Sequence, residues 1–349
     1  MVQDDKTVYK NIQREAYEFG IGKTPVFSFS HENGSNIYAK LESFNRFGSI
    51  KDRAAFFMIK KALYDSGDGI RKVIVEGSSG NTGIAIGNIA TALGLKAEII
   101  VPPGVSKGTM NELEKTGAKI VLSRDGTNPV STEGAINQAK KKAKDNPELY
   151  INLYQHGNEA NTNAHIYTTG PEIEEALGKL PDYVAIGMGT GGSITGIGKY
   201  FKERNRKIKV YLIQPDETSF IQGLRNFVSA KDKKIVLDNI DLIDGFLTVT
   251  AEKAFGAVKH LAENYGIYVG HSSGANYYGA MELARSSGPA DIVTVFPDNG
   301  IKYRELYLSR NIFSEETIDR LEEKAGKIPS GSILINKNFK IEGILFICR

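Results

Sequence analysis

The sequence predicts an α/β protein of two lobes, built on parallel sheets with helices covering both faces. Two observations carry that expectation. Short apolar runs alternate with helical patterns along almost the whole chain, which is how a parallel sheet wrapped by crossover helices reads. The length of 349 residues, with 41% hydrophobic and 24% charged, is ordinary globular composition and enough for more than one core.

In chain order, "NIYAKLES" (36–43) reads as a strand and "SIKDRAAFFMIKKALYDSG" as a capped helix ending at Gly67. "KVIVEG" (72–77) is a strand that breaks into "SSGNTG", after which "IAIGNIATALG" is helical. "AEIIVPP", "AKIVLS", "YVAIGMG", "KVYLIQP" and "IVTVFPD" continue the strands. Residues 125–148 form a polar helix with loops at both ends, a natural lobe boundary. Beyond Asn311, "SEETIDRLEEKAG" is a helix with an acidic first turn and a glycine stop, and "SILINKNFKIEGILFI" reads as two short strands. That tail is expected to be a docked appendage, a lid or a dimer contact.

Composition narrows the chemistry. A net charge of +3 with no basic block argues against nucleic acid or an acidic membrane surface as partner. The lone Cys348 rules out an intramolecular disulfide framework, and five scattered histidines have no metal-ligand spacing, so no metal is expected. No run reaches the roughly 18 apolar residues of a membrane span, and the polar start "MVQDDKTVYKNIQ" is unlike a signal peptide. A soluble protein of a reducing compartment, the cytoplasm, is expected.

Ligands of parallel α/β sheets bind where glycine turns feed helix N-termini. Three such turns stand out. In "FNRFGSIKDRAA" (44–55), Ser49 can cap the helix and Asp52 can answer as a capping box. Lys51 then sits in the first turn, where the helix dipole and burial both lower an amine's pKa. That suits an amine that must be neutral to attack a carbonyl carbon; the plainer reading is a helix start with an exposed lysine.

In "EGSSGNTGIAIG" (76–87), Gly77, Gly80 and Gly83 allow tight backbone, and Ser78, Ser79, Asn81 and Thr82 supply short donors for a carboxylate. The alternative is a well-capped strand–helix turn. In "GMGTGGSITGIG" (187–198), Gly187, Gly189 and Gly192 fit G-x-G-x-x-G, with Asp216 placed as a ribose-binding acid would be. A dinucleotide site, a compact phosphate cradle and mere tight packing all fit that loop. A nucleophilic lysine, a carboxylate loop and a phosphate loop together are what a pyridoxal phosphate enzyme needs, whereas a dehydrogenase needs neither of the first two.

On these motifs the chain resembles the cysteine synthase and O-phosphoserine sulfhydrylase family of fold-type II pyridoxal-phosphate enzymes, the tryptophan synthase β-like fold, over roughly residues 7–310. "GSIKDRAA" looks like the cofactor-lysine segment, "SSGNTG" the substrate-carboxylate loop and "GTGGSITG" the phosphate loop. "GKTPV" (22–26), "TTGPEI" (168–173), "GHSSGAN" (270–276) and "FPDNG" (296–300) match in order.

The resemblance implies that Lys51 carries pyridoxal 5′-phosphate and acts as catalytic base, and that Asn81 bonds the ring 3′-oxygen. It assigns Gly189, Thr190, Gly191, Gly192 and Ser193 to the phosphate, Ser272 to the pyridine nitrogen, and Ser78, Ser79 and Thr82 to the substrate carboxylate. It also implies a larger cofactor-phosphate-binding lobe (1–40 and 147–310), a smaller mobile lobe (41–146), a tail from 311 to 349, and a homodimer.

The implied reaction replaces the β-substituent of an activated serine by sulfide to give L-cysteine. "GLRN" and "LYQHGNEANTNAHIYTTGPE" look more like members that take O-phosphoserine than those that take O-acetylserine, with Arg225 contacting the phosphate. The family usually has proline after the asparagine upstream of the lysine; this chain reads Asn45-Arg46-Phe47-Gly48, which puts the loop geometry in question. Alternatives are a cystathionine β-synthase-type reaction with homocysteine, threonine synthase or dehydratase chemistry, a nucleotide-dependent (NAD) oxidoreductase, and a non-catalytic partner protein.

Overall fold

The computed structural model describes residues 4–66, 71–124 and 131–334. In chain order its strands are β1 (Val26–Ser30), β2 (Asn36–Leu41), β3 (Val73–Gly77), β4 (Ala97–Val101), β5 (Lys119–Leu122), β6 (Tyr150–Asn152), β7 (Tyr183–Gly187), β8 (Lys209–Pro215), β9 (Gly245–Val249) and β10 (Asp291–Phe296). The helices are α1 (Asp5–Glu18), α2 (Lys51–Ser66), α3 (Asn81–Ala92), α4 (Lys107–Glu114), α5 (Glu133–Asp145), α6 (Glu159–Ala164), α7 (Gly170–Leu177), α8 (Gly192–Arg204), α9 (Lys234–Leu237), α10 (Ala251–Tyr265), α11 (His271–Ser286), α12 (Arg304–Ser309) and α13 (Glu315–Glu322).

The strands form two sheets, in the orders β1-β2-β10-β7-β8-β9 and β5-β4-β3-β6. The smaller sheet is parallel throughout. In the larger one only the β1–β2 edge pair is antiparallel. Strand β4 is buried at every position, as a strand covered on both faces must be. The apolar runs in the sequence located seven of these strands. Three escaped: β1 and β9 are edge strands with alternating exposure, and β6 is three residues long. Because β6 pairs with β3, the smaller sheet takes in chain beyond residue 146.

Helices α1, α2, α3 and α6 pack with the smaller sheet around Ile12, Phe57, Ile86 and Ile99. Helices α10 and α11 cover one face of the larger sheet, and α8 the other. Helix α13 starts at Ser314, whose hydroxyl takes the Thr317 N–H, and it buries Ile318 and Leu321 against the larger lobe. Arg304 holds it through Asp319 (2.7 Å) and Glu322 (3.0 Å). The tail helix is thus docked. Of the two expected tail strands, Ile333 pairs with Val26, and residues 335–349 lie outside the described residues.

What this arrangement does for function is to aim strand ends. The carboxyl ends of β2, β7, β8 and β10 share one direction, and the turns that follow them meet the turn after β3. An isolated bridge between Ser49 and Asp298 ties the turn before α2 to the turn after β10.

Candidate active site

Lys51 is the first residue of α2. Its N–H is taken by the Ser49 hydroxyl at 3.2 Å, while the buried Asp52 carboxylate takes the Phe47 N–H at 2.7 Å. Burial pushes the Asp52 carboxyl up to about 8. Burial also pulls the Lys51 amine down to about 8; Arg225 reinforces the shift and Asp298 opposes it. An unpaired cation in a helix's first turn is disfavoured, so a sizeable neutral fraction near pH 8 follows.

The expected proline is absent from the preceding loop, which is held by other means. Asn45 Oδ1 accepts the Gly22 N–H at 2.8 Å, and Arg46 lies 4.4 Å over the Phe19 ring while donating to the Phe19 carbonyl at 2.9 Å. Gly48 takes φ +85°, a conformation open to glycine at little cost.

The turn after β3 turns partly on itself. Ser78 Oγ accepts from Gly83 N (3.0 Å) and Gly80 N (3.3 Å), capping α3 from within its own loop. Thr82 donates to Gln155 Oε1 at 2.7 Å, so the Gln155 amide nitrogen is left to face the cleft it lines. Asn81 opens α3 and is engaged at both ends of its amide, by Asp298 and by Lys302.

The turn after β7 is the third wall. Gly191 takes φ +92° and α8 starts at the next residue. Thr190 Oγ1 accepts from Asn161 Nδ2 (2.9 Å) and Gly192 N (3.3 Å), which leaves its own hydrogen to donate. A Cβ built on Gly189 would fall 2.6 Å from the Gly223 carbonyl oxygen and 3.9 Å from Lys51 Nζ. At Gly189 the wall of the cavity is therefore bare backbone, beside the amine. Gly189→Ala is expected to weaken cofactor binding roughly 10- to 100-fold, since overpacking a tight site costs about 1–3 kcal/mol. Titrating apoprotein with pyridoxal phosphate checks this; an unchanged affinity would mean the loop yields.

These walls enclose a cleft of about 680 Å³. Lys51, Ser78, Ser79, Asn81 and Thr82 line it from one side, and Gly189, Thr190, Ser193, Arg225 and Ser272 from the other. Gly191 and Gly192 belong to the same loop but are not among the lining residues. The Asp216 carboxylate is occupied within its own turn, where it accepts from Thr218 N and Oγ1, each at 3.0 Å.

Arg225 is fixed by its backbone, whose N–H donates to the Met188 carbonyl at 2.7 Å, and by Nη2, which donates to Thr132 Oγ1 at 3.3 Å. Among the described residues no carboxylate pairs with its guanidinium. His271 secures the same segment: its Nε2 accepts the Gln222 N–H at 2.8 Å, and burial holds its pKa down to about 4, so it stays neutral.

Sequence reading passed over Gln155, His156, Asp298, Lys302 and Tyr303. Gln155 and His156 had a local signal in "LYQHGNEANTNAH", dense in side-chain amides after a strand. The others are placed by the return of the last strand, which no local pattern reveals. His156 lines the cleft, and burial together with the nearby Arg225 pulls its pKa down to about 3.

A partly neutral amine beside a backbone cradle suited to a phosphate fits pyridoxal phosphate. Comparison with known proteins agrees. Residues 17–298 match the model of the family described as pyridoxal-phosphate dependent enzyme. The cysteine synthase of Aquifex aeolicus is 38% identical over 80% of this chain and 84% of its own. Among solved structures, a hydrogen sulfide-producing enzyme from Fusobacterium nucleatum is 33% identical and superimposes with a TM-score of 0.75, over 92% of this chain and 96% of that one. The cysteine synthase of Entamoeba histolytica is 27% identical, with a TM-score of 0.77 over 94% and 98%. By its fold, its lysine-centred cleft and these likenesses, the chain belongs to the pyridoxal-phosphate-dependent enzymes.

Proposed function

We propose that this protein is a cysteine synthase, replacing the β-oxygen substituent of an activated L-serine by sulfide to give L-cysteine and the free leaving group. The observation that carries the reading is the juxtaposition of Lys51 Nζ with the Gly189 cradle in a cleft that also holds the Ser78–Thr82 turn and Arg225. Its named relatives among cysteine synthases support it.

When bound, pyridoxal phosphate supplies an electron-withdrawing ring that loosens the hydrogen on the substrate α-carbon. The chain does the rest. Lys51 holds the cofactor and, once free of it, takes that α-proton as general base and later returns it. Ser79, the Gln155 amide and the backbone N–H of Thr82 bind the substrate carboxylate at the α3 N-terminus, where the helix dipole favours an anion, while the Ser78 hydroxyl shapes the turn by capping α3. Gly189, Thr190 and Ser193, in the loop that Gly191 and Gly192 shape, would hold the cofactor phosphate, and Asn81 and Ser272 would meet its ring oxygen and ring nitrogen. Ser272 is neutral, so the ring nitrogen gains no ion pair, and loss of a β-substituent is favoured over steps that need a long-lived carbanion.

For the leaving group we infer phosphate. Arg225 is a guanidinium in the cleft without a carboxylate partner among the described residues, and its planar fork suits phosphate oxygens. Arg225→Ala is expected to lower kcat/KM for O-phosphoserine about 10- to 100-fold, the worth of one charged hydrogen-bonded contact, and to leave O-acetylserine within about threefold. Side-by-side turnover with sulfide checks it. Equal losses on both substrates would overturn the phosphate assignment.

A further inference from the structure

We propose that Lys302 and Asp298 are positioning residues that lock the polarity of the Asn81 amide, so that one of its N–H groups always faces the cofactor ring. This rests on the reading of Asn81 as donor to the ring oxygen, and deepens it.

A side-chain amide can rotate half a turn, exchanging oxygen for NH₂ with hardly any change of shape. Which end faces a ligand is therefore decided by its other neighbours. At Asn81 those neighbours are chemically opposite. Nδ2 donates to Asp298 Oδ2 at 2.7 Å, and Oδ1 accepts from Lys302 Nζ. A carboxylate only accepts and an ammonium only donates. A flipped amide would set oxygen against carboxylate and NH₂ against ammonium, losing two charge-assisted bonds at once. Nδ2 carries two hydrogens, and Asp298 Oδ2 takes one. The other remains for the cleft that Asn81 lines.

The two locking residues are themselves fixed. Asp298 is 1% exposed; its Oδ2 also accepts from Tyr303 (2.8 Å) and pairs with Lys302 (2.8 Å). Its backbone carbonyl takes the Gly270 N–H at 3.2 Å and the Ser273 hydroxyl at 3.3 Å, next to Ser272. Its backbone also bridges Ser49, two residues before Lys51. The pair thus registers α3, which belongs to the smaller sheet, against the turns that carry Lys51 and Ser272.

The test is the absorption spectrum of purified holoenzyme, before any substrate is added. A donor at the ring oxygen stabilises its ionised form, which absorbs in the visible; the protonated form absorbs in the near ultraviolet. Lys302→Met removes one of the two charge-assisted bonds that hold the amide, so the flipped form gains population, and is expected to lower the ratio of visible to near-ultraviolet absorbance about tenfold, as loss of a charge-assisted bond would. Lys302→Arg, which keeps a cation that only donates, is expected to restore the ratio, and failure to restore it counts against the proposal. Asn81→Ala separates the two levels. If Asn81→Ala shifts the ratio and Lys302→Met does not, the positioning role is overturned and the Asn81 reading survives. If Asn81→Ala leaves the ratio unchanged, that reading falls, and the proposal with it.

Discussion

Lys51→Ala is expected to abolish sulfide-dependent turnover, with kcat/KM falling at least about 10³-fold, while the fold and the thermal midpoint of the cofactor-free protein are retained. The magnitude follows from removing a positioned proton-transfer group, worth about 10²–10⁴-fold, together with the amine that holds the cofactor. Retention of the fold follows from the direction of the pKa shift. Burial disfavours the charged amine, so the side chain is a liability to the empty protein. Cysteine formation by wild type and variant, alongside the melting curves of their cofactor-free forms, checks both halves. A variant that melts at the wild-type temperature and turns over within tenfold of it would remove Lys51 from the chemistry.

Arg53→Met is expected to lower the free energy of unfolding by about 3–5 kcal/mol, the usual result of removing one partner from a buried ion pair. Arg53 is fully buried two residues after Lys51. Its fork reaches Glu42 at 2.6 and 2.8 Å and Glu172 at 2.6 and 2.7 Å, bidentate to each. Lys40 completes the cluster at 2.9 Å from Glu172, and Thr24 Oγ1 accepts from Arg53 at 3.2 Å. Two cations thus face two anions, and the guanidinium holds the Glu172 carboxyl well below the usual carboxylate range despite its burial. Without Arg53, two buried carboxylates share a single lysine. Urea unfolding followed by circular dichroism measures the difference. A loss under about 1 kcal/mol would mean that water reaches the cluster. Because the cluster fixes the first turn of α2, cofactor affinity is expected to fall alongside stability.

The site was legible in the sequence where chemistry is local. Glycines and short polar residues between a strand and a helix mark the turns after β3 and β7, and Lys51 in a first turn is conspicuous because a cation fits poorly there. The parallel sheets were legible because strands buried on both faces are nearly continuous apolar runs. What stayed hidden depends on long-range return of the chain. "GKTPV", "TTGPEI" and "GSIKDRAA" showed no sign in the sequence of meeting one another, yet Thr24, Glu172 and Arg53 from these three segments join in one buried cluster. In the same way "FPDNG" brings Asp298 to Asn81 across more than two hundred residues. Nor did local pattern show that Ser78 and Thr82 would use their hydroxyls within the protein, on Gly83 and Gln155. Capping and ligand binding call for the same short polar side chains, and only the folded backbone distinguishes them.

The central claim is that the Lys51 amine is the group that holds the cofactor. Borohydride reduction of the holoenzyme, followed by peptide mapping, tests it most directly. The expected result is a single pyridoxyl label on the peptide that contains "GSIKDR", at Lys51. A label on another lysine, with Lys51 unmodified, would contradict it.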